Sequence, residues 1–179
     1  MSYQDRPRRD DRGGHYESTP RITPEQIDTI IGGISENAAE ELVRTAEVIG
    51  KWLKEMEFST SQIRNVFGVV REIEQGVEMQ DSRELSASER ESQKVEEGKL
   101  PPLPEGSYRK LVLLKPKLAY QYGRAGGEGK KNARDAMGLL QQVLSNAIDK
   151  VGRDRTRFTH FVEFFEAILA YHRCYGGKN

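Results

Sequence analysis

At 179 residues the chain has the size of one domain, and 28 Lys plus Arg against 28 Asp plus Glu leave it formally neutral, which excludes a simple polycation that coats nucleic acid. A single cysteine, Cys174, excludes an intrachain disulfide, and no apolar run approaches the roughly 20 residues that span a bilayer, so a reducing, cytoplasmic setting is expected. The charge is nonetheless uneven: residues 106–179 hold 14 basic and 6 acidic side chains, whereas residues 72–105 hold 4 basic and 10 acidic ones.

Met1–Thr19 is rich in Arg, Asp, Gly and Ser with hardly an apolar side chain, so it cannot repay the entropy of ordering, and residues 1–22 are expected to be a disordered tail. Arg6, Arg8, Arg9 and Arg12 alternate with Asp5, Asp10 and Asp11, which cancel them. A single helical domain is expected over residues 23–179. Thr23, Pro24 and Gln26 form the pattern of a capping box with proline at the first helical position, predicting a short helix to about Ile34. A second helix begins at Ser35 or Asn37, with Leu42, Ala46, Ile49, Leu53 and Met56 as its apolar stripe and Trp52 and Val48 widening it. Arg44, Lys51 and Lys54 share its outer side with several glutamates and read as a solvated face.

Ser59 or Thr60 caps a third helix, whose inner positions are Ile63, Val66, Phe67, Val70, Ile73 and Val77. Arg64 and Arg71 stand two turns apart along one edge of it, and Gly68 between them suggests the close approach of another helix, the commoner cause, or of a ligand backbone. From Met79 to Glu105 the composition turns to Ser, Glu, Gln and Lys and ends in Pro101, Pro102 and Pro104. This is expected to be a flexible acidic loop held away from any binding groove.

The next stretch carries two faces on one helix. Leu111, Leu114, Leu118 and Tyr122 recur at spacings of three and four, while Lys110, Lys117, Gln121 and Arg124 recur at seven, four and three on another side, with Tyr120 between Lys117 and Arg124. Pro116 implies either a fresh helix start or a helix that runs through it with a kink near Val112, whose carbonyl loses its donor. After a Gly-rich turn over residues 125–129, Lys130 to Val151 forms a fifth helix with Met137, Leu140, Val143, Leu144, Ala147, Ile148 and Val151 inward. Lys130, Lys131 and Arg134 occupy its first turns, where the helix dipole disfavours cations and a bound anion would favour them. The last helix, from Thr156 to about Tyr175, is apolar nearly all round and is expected at the centre of an all-α bundle of five to six helices.

Catalytic and metal patterns do not assemble. Three histidines and one cysteine show no zinc spacing, His160 and Glu163 reverse the order that a di-iron bundle needs, and residues 126–130 lack the spacing of a phosphate-binding loop. No nucleophile, base and orienting group fall together, so the sequence reads as non-catalytic, with no metal and no cofactor. A basic helix edge with tyrosines suits a phosphate backbone, where cations release counterions and rings lie against sugar or base.

Three stretches carry a family likeness: Ser61-Gln62-Ile63-Arg64; Lys115-Pro116-Lys117-Leu118-Ala119-Tyr120 followed by Gly123-Arg124; and Phe161 to Gly177, with Phe164-Phe165-Glu166-Ala167 and Ala170-Tyr171-His172-Arg173. With them the chain resembles the small subunit of type III-A CRISPR effector complexes, the Csm complexes, over roughly Asn37 to Lys178. The resemblance implies a compact helical protein without activity of its own that stacks in copies along a ribonucleoprotein filament beside the other Csm subunits. It would line the duplex of guide RNA and target RNA and touch its backbone without reading sequence. By motif match Arg64, Lys115, Lys117 and Arg124 become the expected RNA contacts, and the charge and ring pattern adds Arg71, Tyr120, Lys130 and Lys131. The alternative is a helical adaptor, such as the small subunit of a type III-B complex, using the same basic face on an acidic protein.

Overall fold

The protein is seen in a computed structural model that describes residues 18–33, 35–88 (backbone alone from 80), 100–125 and 131–177. Six helices and no strand occur among them: α1 (Pro24–Gly32), α2 (Ala38–Glu55), α3 (Thr60–Ser88), α4 (Glu105–Arg124), α5 (Lys131–Val151) and α6 (Arg155–Cys174). The expected all-α bundle is therefore observed.

Local sequence sets the helix starts. Thr23 Oγ1 accepts from the Gln26 amide while the Gln26 side chain accepts from the Thr23 amide, so the predicted capping box is formed. Ser59 and Gln62 repeat the device ahead of α3, which gives one residue of the Ser61-Gln62-Ile63-Arg64 stretch a structural purpose. Asp154 caps α6 by accepting from the Arg157 amide at 2.9 Å.

The core is built around α6, which packs on α1, α2, α3 and α5, most extensively on α2. Phe158, Phe161, Phe164, Phe165 and Ile168 are buried along its inner side, whereas Thr159, Glu163, Glu166 and Ala170 leave one face in solvent, so the helix is not apolar all round as its composition suggests. Phe67 of α3 meets Phe165 edge to face at 5.3 Å. The close approach of α2 and α6 depends on Gly50. A Cβ there would lie 2.7 Å from the His172 backbone nitrogen and 2.7 Å from the Tyr171 Cβ. Helix α4 lies between α3 and α5 and adds Leu111, Leu114 and Leu118 to the same core.

Several expectations are corrected. Val48, assigned to widen the α2 stripe, is 43 % exposed, because Thr45 and Trp52 take the flanking inner positions instead. Gly68 is exposed and a Cβ there would meet nothing within 4 Å, so it marks no close helix contact. Ile22, counted with the tail, is buried in the core, and the tail before residue 18 lies outside the described residues. The acidic segment does not open as a loop at Met79: α3 continues to Ser88, since Glu, Gln and Ala are good helix formers. Residues 89–99 and 126–130, the middle of that segment and most of the Gly-rich turn, fall outside the described residues, while its end is not loose, with Leu103 buried in the core.

Candidate nucleic-acid interface

Helix α4 runs through Pro116 without interruption. Pro116 and Val112 both lie on its exposed side, so the carbonyl that proline leaves without a donor is on the solvent side of the helix. The start of α4 is anchored to the α5–α6 turn. The Leu103 amide donates to the Arg153 carbonyl at 2.8 Å, Arg153 pairs with Glu105 at 2.6 Å, and its guanidinium covers the Tyr108 ring at 4.4 Å. A helix held at one end and along one face presents its other face at a fixed angle.

On that face Lys110, Lys117, Gln121 and Arg124 are exposed, as their spacing predicts. Tyr120 is 62 % exposed, and the Arg124 guanidinium sits 5.6 Å from its ring centre. Among the described residues no carboxylate pairs with Lys117 or Arg124. Beside them an open groove of about 440 Å³ runs between α3 and α4, with Asn65, Val66 and Val69 on one wall and Leu113, Lys117 and Tyr120 on the other.

The remaining predicted contacts are placed differently. Lys115 turns toward α5, where its Nζ donates to both Asp149 oxygens at 2.7 and 2.8 Å. Arg71 pairs with Glu74 and, at 3.4 Å, with Glu166 of α6. Burial pushes the Glu74 carboxyl above its ordinary value, with Arg71 pulling the other way. Seven residues before Arg71, Arg64 shares its side of α3, so these two arginines follow the α6 edge while the next residue, Asn65, faces the groove. Lys131 is exposed at the first position of α5, and Lys130 lies outside the described residues. Arg134, three residues on, lies 5.2 Å from the Tyr122 ring and is thus engaged with the end of α4. Lys117, Tyr120 and Arg124 therefore form one exposed edge, and Arg64 and Arg71 form another.

Asn65 and Leu113 join the groove without having been singled out by sequence, beside Gln121 of the predicted face. The available signal was Leu113, which sits off the buried stripe and recurs with Lys117 and Tyr120 at helical spacing. His160 is engaged structurally, its Nδ1 lying 3.0 Å from the Ile31 carbonyl oxygen. No group of three or more His, Cys, Asp and Glu able to hold a metal occurs among the described residues, and no described helix is long and apolar enough to cross a membrane.

Comparison with known proteins adds one match. Residues 36–178 match the family model Csm2 Type III-A, whereas neither the curated proteins nor the solved structures give a match. The match spans most of the chain, which therefore belongs to the Csm2 Type III-A family, the small subunit of the type III-A Csm complex. This family is a structural and generally non-catalytic component of that complex. Its type III-A assignment separates the chain from the type III-B small subunit.

Proposed function

We propose that this member of the Csm2 family is a non-catalytic subunit that binds the backbone of the guide RNA and target RNA duplex without sequence specificity, using the outer edge of α4. The observation that supports this reading most directly is the grouping of Lys117, Tyr120 and Arg124 on a rigidly seated helix, with no carboxylate pairing the two cations among the described residues. Uncompensated cations at fixed spacing suit phosphates that repeat along a strand, and their contacts position a duplex without reading it. Partners are then the guide and target RNAs, the other Csm subunits and further copies of this chain. Lys131 and Arg64 add positive charge at the margins, while Lys115 and Arg71 contribute only when their carboxylates release them.

The test is a complex reconstituted with the Lys117→Gln, Arg124→Gln double variant. Losing two phosphate contacts lowers the salt slope of target-RNA binding by roughly 1.4 to 1.8 and weakens binding evenly across target sequences. An unchanged slope and affinity would overturn the assignment of this edge.

A further inference from the structure

The cationic edge of α4 does not explain the groove beside it. A surface that met only phosphates would need charge and hydroxyls, yet this cleft is lined chiefly by aliphatic side chains, among them Val66, Val69 and Leu113. Leu113 is 47 % exposed, a large aliphatic residue left in solvent next to an exposed tyrosine ring. The polar groups of the lining are as specific as its apolar ones. They are two amides, Asn65 from α3 and Gln121 from α4, and one cation, Lys117; no carboxylate lines the groove. Its volume of about 440 Å³ lies within the range of clefts that hold small planar ligands.

We infer that the α3–α4 groove receives an unstacked base of the bound RNA, which lies on the Tyr120 ring, with Lys117 at the phosphate beside it and the Asn65 and Gln121 amides within the same cleft to meet base edges. The inference rests on the proposed RNA contact and adds to it the class of nucleotide that this edge selects.

Each component follows from elementary chemistry. An exposed aromatic ring gains most from a flat, polarisable partner that is not already stacked, and bases inside a continuous helix already are. Arg124 lies over the Tyr120 ring, which places a cation against the same π system and brings positive charge next to a flanking phosphate. Aliphatic walls shed water when a base enters and set no preference among bases. The amides offer both donors and acceptors, so they too tolerate any base edge. Charge complementarity selects the occupant: a groove with a cationic rim and no acidic lining suits an anionic, partly apolar ligand, which describes a nucleotide out of its stack. Two helices must cooperate to build the site, since Asn65, Val66 and Val69 come from α3 and the ring and cation from α4.

The test uses the full-length chain and two RNA duplexes of one sequence, either fully paired or carrying a single bulged 2-aminopurine. The wild type is expected to bind the bulged duplex about tenfold more tightly, within the range that base–aromatic stacking supplies, and to change the 2-aminopurine fluorescence on binding. Tyr120→Ala abolishes both the preference for the bulged duplex and the fluorescence change, while Tyr120→Phe retains both. Lys117→Gln with Arg124→Gln weakens both duplexes. Tyr120 is on the surface, so its variants retain the fold, which circular dichroism checks. Equal affinity of the wild type for the two duplexes, a preference that survives Tyr120→Ala, or binding of neither duplex overturns the inference. If the bulge confers no advantage but binding still depends on Lys117 and Arg124, the groove assignment falls and the backbone contact stands.

Discussion

The Nε2 of His172 lies 2.9 Å from the Phe58 carbonyl oxygen, and this contact joins the ends of the two helices that pack most extensively. A carbonyl only accepts, so Nε2 carries the proton and Nδ1 is left with its lone pair, buried and without a partner among the described residues. Both helix ends use the same wrap. The Phe58 amide reaches back to Leu53 at the close of α2, and the Gly177 amide reaches back to the carbonyl of His172 itself at the close of α6. The imidazole thus ties one helix terminus to another inside the core.

Protonating His172 would place a charge where one ring nitrogen has no acceptor, and burial holds its pKa below the ordinary value of 6.5 despite the opposing bond to Phe58. The unfolded chain therefore binds this proton more readily than the folded one. Stability contributed by the neutral ring is full above about pH 6.5 and is lost as pH falls below it, until the folded pKa is reached. Urea unfolding between pH 7.5 and 5 should show this loss in the wild type. In His172→Gln, which can still donate to Phe58, the dependence should be flatter. Parallel pH profiles for the two proteins would rule out this origin.

The wrap that ends α2 requires a left-handed residue, and Glu57 supplies it with φ of 54°. A side chain in that region is strained where glycine is not. Glu57→Gly is accordingly expected to stabilise the protein by about 0.5–1 kcal/mol, measured by the denaturation midpoint, in contrast to the usual penalty for introducing glycine. A fall in midpoint would show that the Glu57 side chain contributes more than its backbone conformation costs.

Gly50 and Gly68 should respond oppositely to the same change. Alanine at position 50 would press its Cβ against the backbone of α6, which cannot yield as a flexible side chain can, and is expected to destabilise by about 1–3 kcal/mol or more. Alanine at position 68 meets open space inside an exposed helical turn and should stabilise by about 0.5–1 kcal/mol. Thermal unfolding of the pair measures the difference directly.

These glycines show what the sequence could and could not convey. Periodicity placed α6 at the centre and the Leu111, Leu114, Leu118 stripe inward, because burial repeats with the helix and so leaves a pattern along the chain. Gly176 and Gly177 mark the end of α6 in the sequence, whereas the matching wrap at Glu57 carries no glycine and leaves no signal. Which glycine sits at a helix crossing is set by the partner helix, and Gly50 and Gly68 look alike until α6 is in place. The same limit applies to the basic residues. A cation on a helical edge looks available in sequence, but Asp149 lies 34 residues from Lys115 and Glu166 lies 95 from Arg71, so the pairing that occupies them arises only on folding.

That pairing leads to a prediction about binding. Lys115 and Asp149 are both partly solvent-exposed, so their bridge contributes only about 0.2–1 kcal/mol to stability, and Asp149→Asn should unfold at nearly the wild-type denaturant concentration. Its effect on RNA should be larger in proportion, because the substitution removes a competing carboxylate and frees a cation. If Lys115 serves the duplex, Asp149→Asn raises RNA affinity by about threefold at moderate salt and steepens the salt slope by roughly 0.7–0.9, as one added phosphate contact requires. Adding Lys115→Gln to that variant should cancel both gains. Glu166→Gln applies the same logic to Arg71 on the α6 edge, where Glu74 still holds the guanidinium and a smaller gain is expected. If Asp149→Asn leaves affinity and slope unchanged, Lys115 belongs to the α4–α5 packing alone. The proposed RNA-binding edge then begins at Lys117, two residues further along the helix, where the side chain has turned from α5 toward the α3–α4 groove.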